Sequence, residues 1–133
     1  RICLVGSEMC IRDSLGCERG NAEFKYPDAW ADINFWGNEL TLHATDPNQK
    51  STSERHNVDM GNVTVPHFGV HLDAKTFENL KQRLIDKNIK FIDPPYIRFK
   101  GEDIEQETMF LADPNGNCME IKTMKNPNTL FKK

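Results

Sequence analysis

From Asp113 to Ile121 the chain reads Asp-Pro-Asn-Gly-Asn-Cys-Met-Glu-Ile, and earlier, from His67 to Val70, it reads His-Phe-Gly-Val. The Asp-Pro-Asn-Gly tetrapeptide is a strong turn signal. The alternation that follows it predicts a strand over Cys118–Lys122. Branched and small residues over Val63–Leu72 predict a second strand. These two strands enclose the segment that decides the fold.

The residues between these strands predict one helix and two further strands. Asp73 is a good helix N-cap, and apolar residues recur at helical spacing up to about Lys87 (Phe77, Leu80, Leu84 and Ile85). Phe91-Ile92 is typical of a short strand that Pro94-Pro95 stops. Glu107–Leu111 is typical of a third strand. Residues 63–125 therefore have the order β-α-β-β-β.

The first half of the chain predicts a hairpin. Trp30–Phe35 and Glu39–His43 alternate around the turn dipeptide Gly37-Asn38, with Leu40 and Leu42 facing away from Glu39, Thr41 and His43. Residues 45–62 are polar without an apolar period, which predicts an exposed linker. Residues 126–133 are polar and predict a loose tail.

Composition limits the function classes. A chain of 133 residues is long enough for one domain, and its net charge of −3 argues against nucleic acid as the main partner. No apolar run has the roughly 20 residues that a membrane helix needs. The four cysteines (Cys3, Cys10, Cys17 and Cys118) match neither a disulfide framework nor a paired zinc motif, which favours free thiols in the cytoplasm.

The opening segment Arg1–Ser14 is predicted to be foreign to the protein. Leu4 to Asp13 is identical to the translation of a transposase sequencing adapter, so residues 1–14 are left out of the fold prediction. The true N-terminal part is then expected to be lost, and Cys17 and Cys118 are the native cysteines. The alternatives are an ordinary amphipathic opening segment and a signal-peptide core, although Glu8 and Arg12 interrupt the apolar run and disfavour the second.

The His-Phe-Gly-Val and Asp-Pro-Asn-Gly…Glu motifs, in this β-α-β-β-β order, resemble the vicinal oxygen chelate superfamily. That superfamily includes glyoxalase I, extradiol dioxygenases, and the fosfomycin and bleomycin resistance proteins. The resemblance covers residues 15–124 and implies an α+β fold of paired βαβββ modules. Leu15-Gly16-Cys17 matches the point where the first helix of the family ends. Residues 15–44 would then be the remnant of an N-terminally truncated first module, inside a domain over 15–125.

The resemblance implies that His67 and Glu120 are ligands of a divalent metal ion such as Zn, Mn, Fe, Ni or Co. The family's ligand on the opening strand of the first module has no counterpart in this sequence. A gap-free alignment of the two hairpins places Thr41 opposite Glu120, so His43 is the expected contributor from the first half. The implied function is a metal-dependent enzyme that activates a small oxygen-rich or carbonyl substrate by Lewis-acid chemistry. The alternatives are a non-catalytic small-molecule binding or resistance protein and an inactive fragment, whose exposed sheet edge would favour a homodimer.

Further candidates share strand faces with these ligands. His71 lies on the face of His67 and is a candidate proton-transfer group with Glu120, or else a packing histidine. Arg98 is a candidate for holding a substrate carboxylate, or else a surface arginine. Thr108 and Phe110 are candidates for the pocket lining. Without the motif, His67 would be a hydrogen-bonded strand histidine and Glu120 an outward-facing carboxylate. His56 and Cys118 are expected to be a surface residue and an inert thiol.

Overall fold

The computed structural model describes residues 3–46, 48, 54–58 and 61–131. They fall into two compact units: the first comprises Arg1–Thr52 with Asp113–Asn117, and the second comprises Ser53–Ala112 with Cys118–Lys133. The division after residue 52 falls within the predicted linker region 45–62. The mixture of strands and helices confirms the predicted α+β class.

The first unit contains a helical segment and a three-stranded sheet. Its elements are α1 (Cys3–Cys10), a π-helical turn (Ile11–Leu15), β1 (Glu18–Glu23), β2 (Trp30–Phe35) and β3 (Asn38–His43). β2 pairs antiparallel with both β1 and β3, which confirms the predicted hairpin. Leu40 and Leu42 are half-buried while their neighbours Glu39, Thr41 and His43 are exposed, so the predicted faces are also confirmed.

The exclusion of residues 1–14 from the fold is wrong for the part that the structure describes. α1 packs against β2 and β3, and Leu4 and Ile11 are fully buried. The helical segment ends at Leu15, and Gly16 follows with a positive φ of 79°, as the Leu-Gly motif implied. Residues 1 and 2 lie outside the described part. The adapter origin of the segment stays a prediction.

The second unit contains the β-α-β-β-β order that the sequence predicts. Its elements are β4 (Glu54–Val58), β5 (Gly61–Val65), β6 (His67–His71), α2 (Ala74–Asp86), β7 (Phe91–Arg98), β8 (Gln106–Ala112) and β9 (Cys118–Met124). The four-stranded sheet has the order β6-β9-β8-β7. β6 runs parallel to β9, and the other pairs are antiparallel. The strands that carry His67 and Glu120 are therefore neighbours.

Helix α2 confirms its predicted start and end, and it confirms the predicted buried face for three of its four residues. The Asp73 carboxylate accepts a hydrogen bond of 3.0 Å from the backbone N–H of Thr76, so it satisfies a donor that the first helical turn leaves free. Phe77, Leu80 and Leu84 are buried at helical spacing, whereas Ile85, which was predicted on the same face, is 48% exposed. No helix within the described ranges is long and apolar enough to cross a bilayer.

Two predictions on the segment before α2 are corrected. Part of the predicted linker is β4, which pairs with β5 as an antiparallel hairpin. The predicted single strand over Val63–Leu72 is two strands, because Pro66 separates β5 from β6. Proline has no N–H to donate to a ladder, so the pairing changes from one sheet to another at this residue.

Two further predictions are corrected after α2. β7 does not stop at Pro94-Pro95 but runs on to Arg98. The prolines are tolerated because β7 is an edge strand, and the register with β8 shifts between Asp93 and Tyr96. The tail is not loose throughout: Pro127–Thr129 form a short 3-10 helix in which Thr129 is buried. Residues 132 and 133 lie outside the described part.

Candidate functional site

Strand alternation places the candidate residues on the face of the sheet opposite α2. Along β9, Glu120 faces the other way from Met119 and Ile121, which are buried. In the register of the sheet, Gly69 on β6 and Phe110 on β8 lie on either side of Glu120. The residues of β6, β8 and β9 that share this face form what we call the site face: His67, Gly69, His71, Thr108, Phe110, Cys118, Glu120 and Lys122.

The His67 and Glu120 side chains converge on this face. Nε2 of His67 lies 3.6 Å from Oε2 of Glu120. The side chain of His67 is 27% exposed and that of Glu120 is 12% exposed. The register alone does not bring them together, because Glu120 is the partner of Gly69 and His67 is the partner of Cys118. The diagonal contact exists because Gly69 has no side chain between them.

Gly69 is required by the close approach of β9. A Cβ built at this position would lie 2.9 Å from the carbonyl carbon of Glu120 and closer still to its carbonyl oxygen. Those atoms belong to the backbone of a central strand, so they cannot rotate away as a flexible side chain could. The glycine in the His-Phe-Gly motif therefore has a steric reason in this structure.

The imidazole of His67 is fixed through its second nitrogen. Nδ1 lies 2.7 Å from the backbone carbonyl oxygen of Thr64, which can only accept a hydrogen bond. Nδ1 therefore carries a proton, and in the neutral tautomer Nε2 presents its lone pair towards Glu120. The ring also packs edge-on against Phe110, with centroids 5.3 Å apart. Hydrogen bonding of the second nitrogen is the usual way in which a metal-binding histidine is oriented.

The Glu120 carboxylate is held from two sides. The hydroxyl of Thr108 donates to Oε1 over 2.8 Å, and Thr108 is fully buried. The ammonium of Lys122 lies 3.9 Å from Oε2, which is ion-pair range but longer than a hydrogen bond. Oε2 is thus the oxygen that faces both His67 and Lys122, while Oε1 is occupied by protein.

The structure also locates the other predicted residues of the second unit. His71 is the register partner of Lys122, and burial together with that positive charge lowers the pKa of its imidazole below the ordinary value of 6.5. Arg98 lies on β7 with its guanidinium 5.0 Å from the Phe99 ring centroid. Phe110 is buried against His67, and Thr108 is turned towards Glu120, so both support the pair directly. Their contact with a substrate stays a prediction.

His43 belongs to the first unit. It ends β3 as the partner of Trp30, and its side chain is exposed. Its contribution to a metal site stays a prediction. Among the residues that the structure describes, no group of three or more His, Cys, Asp or Glu side chains is arranged to hold a metal ion.

The donor chemistry of the His67–Glu120 pair fits a divalent ion. A lone pair on Nε2 and a carboxylate oxygen, 3.6 Å apart, face each other without a donor between them if the imidazole is neutral. Imidazole and carboxylate together suit first-row divalent metals. The pair would supply two ligands, and the remaining positions would be open to substrate or water.

Three residues around this pair were not predicted from the sequence. The Thr64 carbonyl was not foreseeable, because it depends on the break between β5 and β6. Lys122 carried a usable signal, since it follows Glu120 by two positions on the same strand face. Tyr96 lies on β7 as the register partner of Thr108, and burial raises the pKa of its phenol. Its position was hidden because β7 was predicted to stop at the prolines.

The fold resembles solved structures of glyoxalase-type proteins. A glyoxalase/bleomycin resistance protein/dioxygenase from Alicyclobacillus acidocaldarius superposes with a TM-score of 0.72 at 29% identity, over 96% of this chain and 88% of that chain. Lactoylglutathione lyase from Agrobacterium tumefaciens has a TM-score of 0.56 at 20% identity, over 90% and 84%. The genomically encoded fosfomycin resistance protein from Listeria monocytogenes has a TM-score of 0.59 at 11% identity, over 90% and 83%.

The chain has the glyoxalase/dioxygenase fold, and its structural neighbours are proteins of the glyoxalase/bleomycin resistance/dioxygenase family. The fold-family resemblance that the two motifs carried is thereby confirmed. Neither a protein-family profile nor a curated protein sequence matches the chain. Because one fold serves several activities, the activity has to be argued from the site.

Proposed function

We propose that this chain is a metal-dependent enzyme that acts on a small oxygen-rich or carbonyl substrate, with His67 and Glu120 as metal ligands. The observation that carries this function is the 3.6 Å approach of Nε2 of His67 to Oε2 of Glu120. It is supported by the hydrogen bonds that fix the far side of each group, from Nδ1 of His67 to Thr64 and from Thr108 to Oε1 of Glu120.

Each residue around the pair would have a separate task. A bound Zn, Mn, Fe, Ni or Co ion supplies Lewis-acid polarisation of a substrate oxygen. Thr108 keeps Oε2 of Glu120 turned towards His67 by occupying Oε1. His71 is held neutral near pH 7 because burial lowers its pKa, so its imidazole is able to accept a proton from substrate. Glu120 is the second candidate for that proton transfer.

Two further assignments belong to the same proposal. Arg98 would hold a substrate carboxylate through its planar guanidinium, beside the pocket-lining residues Thr108 and Phe110. His43 would add a ligand from the first unit. The buried Cys118 and the partly buried Cys10 are free thiols, which is compatible with a cytoplasmic location.

A non-catalytic binding protein of the same fold is the second candidate. It is favoured by the fact that His67 and Glu120 can also satisfy each other without a metal. If His67 is doubly protonated, the 3.6 Å contact is an imidazolium–carboxylate ion pair that needs no further partner. A direct measurement of metal affinity separates the two candidates.

The test is a metal titration of the full chain by calorimetry with Zn²⁺ and Mn²⁺, using His67→Gln and Glu120→Gln. The chain contains a matched control: on β4, Nε2 of His56 lies 3.8 Å from Oε2 of Glu54, but both side chains are exposed. Removing a ligand is expected to weaken metal binding by more than the roughly 10–100-fold of an outer-shell change. Equal losses in His56→Gln and Glu54→Gln would reject the assignment.

A further inference from the structure

The site face contains a second group of polar atoms beside the His67–Glu120 pair. Lys122 is two residues beyond Glu120 on β9, and its side chain retains 30% of its exposure. Its register partners are His71 on β6 and Thr108 on β8. These three residues lie side by side across β6, β9 and β8, and we call them the Lys122 row. The row places a cation between an imidazole and a hydroxyl.

Two buried polar atoms in this row and the next lack partners among the described residues. They are Nε2 of His71 and Oε1 of Gln106. His71 is on one side of Lys122, and Gln106 precedes Thr108 by two residues on the other side. Buried polar atoms are almost always hydrogen-bonded, so such atoms need a ligand or water to complete them. Nε2 of His71 can donate to a ligand beside Lys122, whereas Oε1 of Gln106 can only accept and needs a water or a hydroxyl group.

The charges of the row favour an anion. The Lys122 ammonium is close to Glu120 but makes no hydrogen bond with it at 3.9 Å, so its donors remain available. A neutral His71 presents Nε2–H as a donor in one of its two tautomers, and Nδ1 then keeps the lone pair that can accept a proton. Thr108 already donates to Glu120 and cannot donate twice. The group that matches one ammonium and one imidazole N–H is an oxyanion.

We propose that Lys122 and His71 form a subsite that binds an anionic oxygen group of the substrate, a carboxylate or a phosphate, next to the His67–Glu120 pair. This inference rests on the proposed function in one respect only. It assumes that the anionic group at Lys122 and His71 belongs to the same substrate that reaches the His67–Glu120 pair. It assigns the anion to Lys122 and His71, whereas Arg98 lies one strand further away on β7, beyond β8.

The subsite is tested by titrating the full chain with acetate and, separately, with inorganic phosphate. The titrations contain a metal chelator and are made at constant ionic strength. Binding is followed by NMR through the chemical shifts of the protein. Lys122→Met and His71→Leu are each expected to raise Kd by at least about tenfold, because each removes one charge-assisted or buried hydrogen bond. Lys122→Arg retains the charge and is expected to bind nearly as well as wild type. The matched controls are the exposed Lys100→Met and His56→Leu, which are expected to leave Kd unchanged.

The two anions distinguish the two sources of the oxygen group. Tighter phosphate binding identifies a phosphate ester as the substrate class, and tighter or equal acetate binding identifies a carboxylic acid. The proposal is overturned if neither anion saturates the wild-type protein. It is equally overturned if Lys122→Met behaves as Lys100→Met does, or if His71→Leu behaves as His56→Leu does.

A metal titration of the same variants separates this proposal from the proposed function. Lys122→Met removes a positive charge beside Glu120, so its metal affinity is expected to equal or exceed that of wild type. If wild type binds anion through Lys122 and His71 but binds no metal, the enzyme proposal fails and the subsite remains. If metal binds while anion binding is independent of Lys122, the subsite fails and the metal site remains.

Discussion

Replacing Gly69 by alanine should damage both the sheet and the site, because β6 and β9 are too close for a side chain at this position. The added Cβ would be 2.9 Å from the carbonyl carbon and 3.1 Å from the Cβ of Glu120, where ordinary contact begins at 3.4 Å. The contact with the carbonyl oxygen is tighter still, so β6 and β9 would have to separate by about one ångström or more to relieve it. The two atoms of the His67–Glu120 pair are on those two strands.

The expected size of the effect follows from overpacking between β6 and its central neighbour β9. Such changes typically cost about 1–3 kcal/mol of unfolding free energy. For a chain of this length each kcal/mol corresponds to a fall in Tm of roughly 3–6 °C. Because the strand movement also displaces Glu120 from His67, metal affinity should fall by about tenfold or more, as it does for outer-shell changes.

The assay combines thermal unfolding followed by circular dichroism with the metal titration described above. Gly20→Ala is the matched control, since Gly20 is also a strand glycine but its added Cβ would be 3.5 Å from the nearest atom, the Cβ of Asp32. That variant should keep its Tm and its metal affinity. If Gly69→Ala unfolds and binds metal as Gly20→Ala does, the steric account of the His-Phe-Gly motif is refuted.

Two other substitutions test the surroundings of the pair and the helix that covers the opposite face. Thr108→Val keeps the shape but removes the 2.8 Å hydrogen bond to Glu120, so metal affinity should fall by about 10–100-fold; Thr123→Val, whose buried hydroxyl has no partner among the described residues, should leave it unchanged. Hydrogen bonds from Thr76 lower the pKa of Asp73 below its ordinary value of 3.8, so the stabilisation it gives is present above that pH and is lost as the pH falls through the lowered pKa. The Tm difference between wild type and Asp73→Ala should therefore be largest at neutral pH and vanish in strong acid, and a difference that persists there would contradict the capping role.

The parts of the fold that sequence predicted well are those in which local signals agree with tertiary packing. α2 has an N-cap at Asp73, and its apolar residues Phe77, Leu80 and Leu84 recur at helical spacing on the face that the helix buries. β8 and β9 are joined by an Asp-Pro-Asn-Gly turn, in which the N–H of Gly116 donates to the carbonyl of Asp113 over 3.0 Å. The sequence alone is therefore sufficient to predict this strand and the position of Glu120 in it.

The parts that failed depend on information that a local pattern does not contain. Pro94-Pro95 lie inside β7 because that strand is at the sheet edge, and edge position is a property of the whole topology. The strand β4 is polar in sequence, and it is held to β7 by a bidentate ion pair between Arg55 and Asp93 at 2.8 and 2.9 Å. No periodicity could have indicated that contact, because its partners are far apart in the chain.

The most informative failure is the strand break at Pro66, because it bears directly on the site. An uninterrupted strand from Val63 to Leu72 would carry residue 64 and residue 67 along one ladder, three positions apart and on opposite faces. The break ends the pairing of β5 with β4 before β6 begins, so the Thr64 carbonyl can lie 2.7 Å from Nδ1 of His67. That contact fixes the proton on Nδ1 and leaves Nε2 directed at Glu120. Pro66, which made the strand prediction wrong, thus also helps to orient His67 as a candidate ligand.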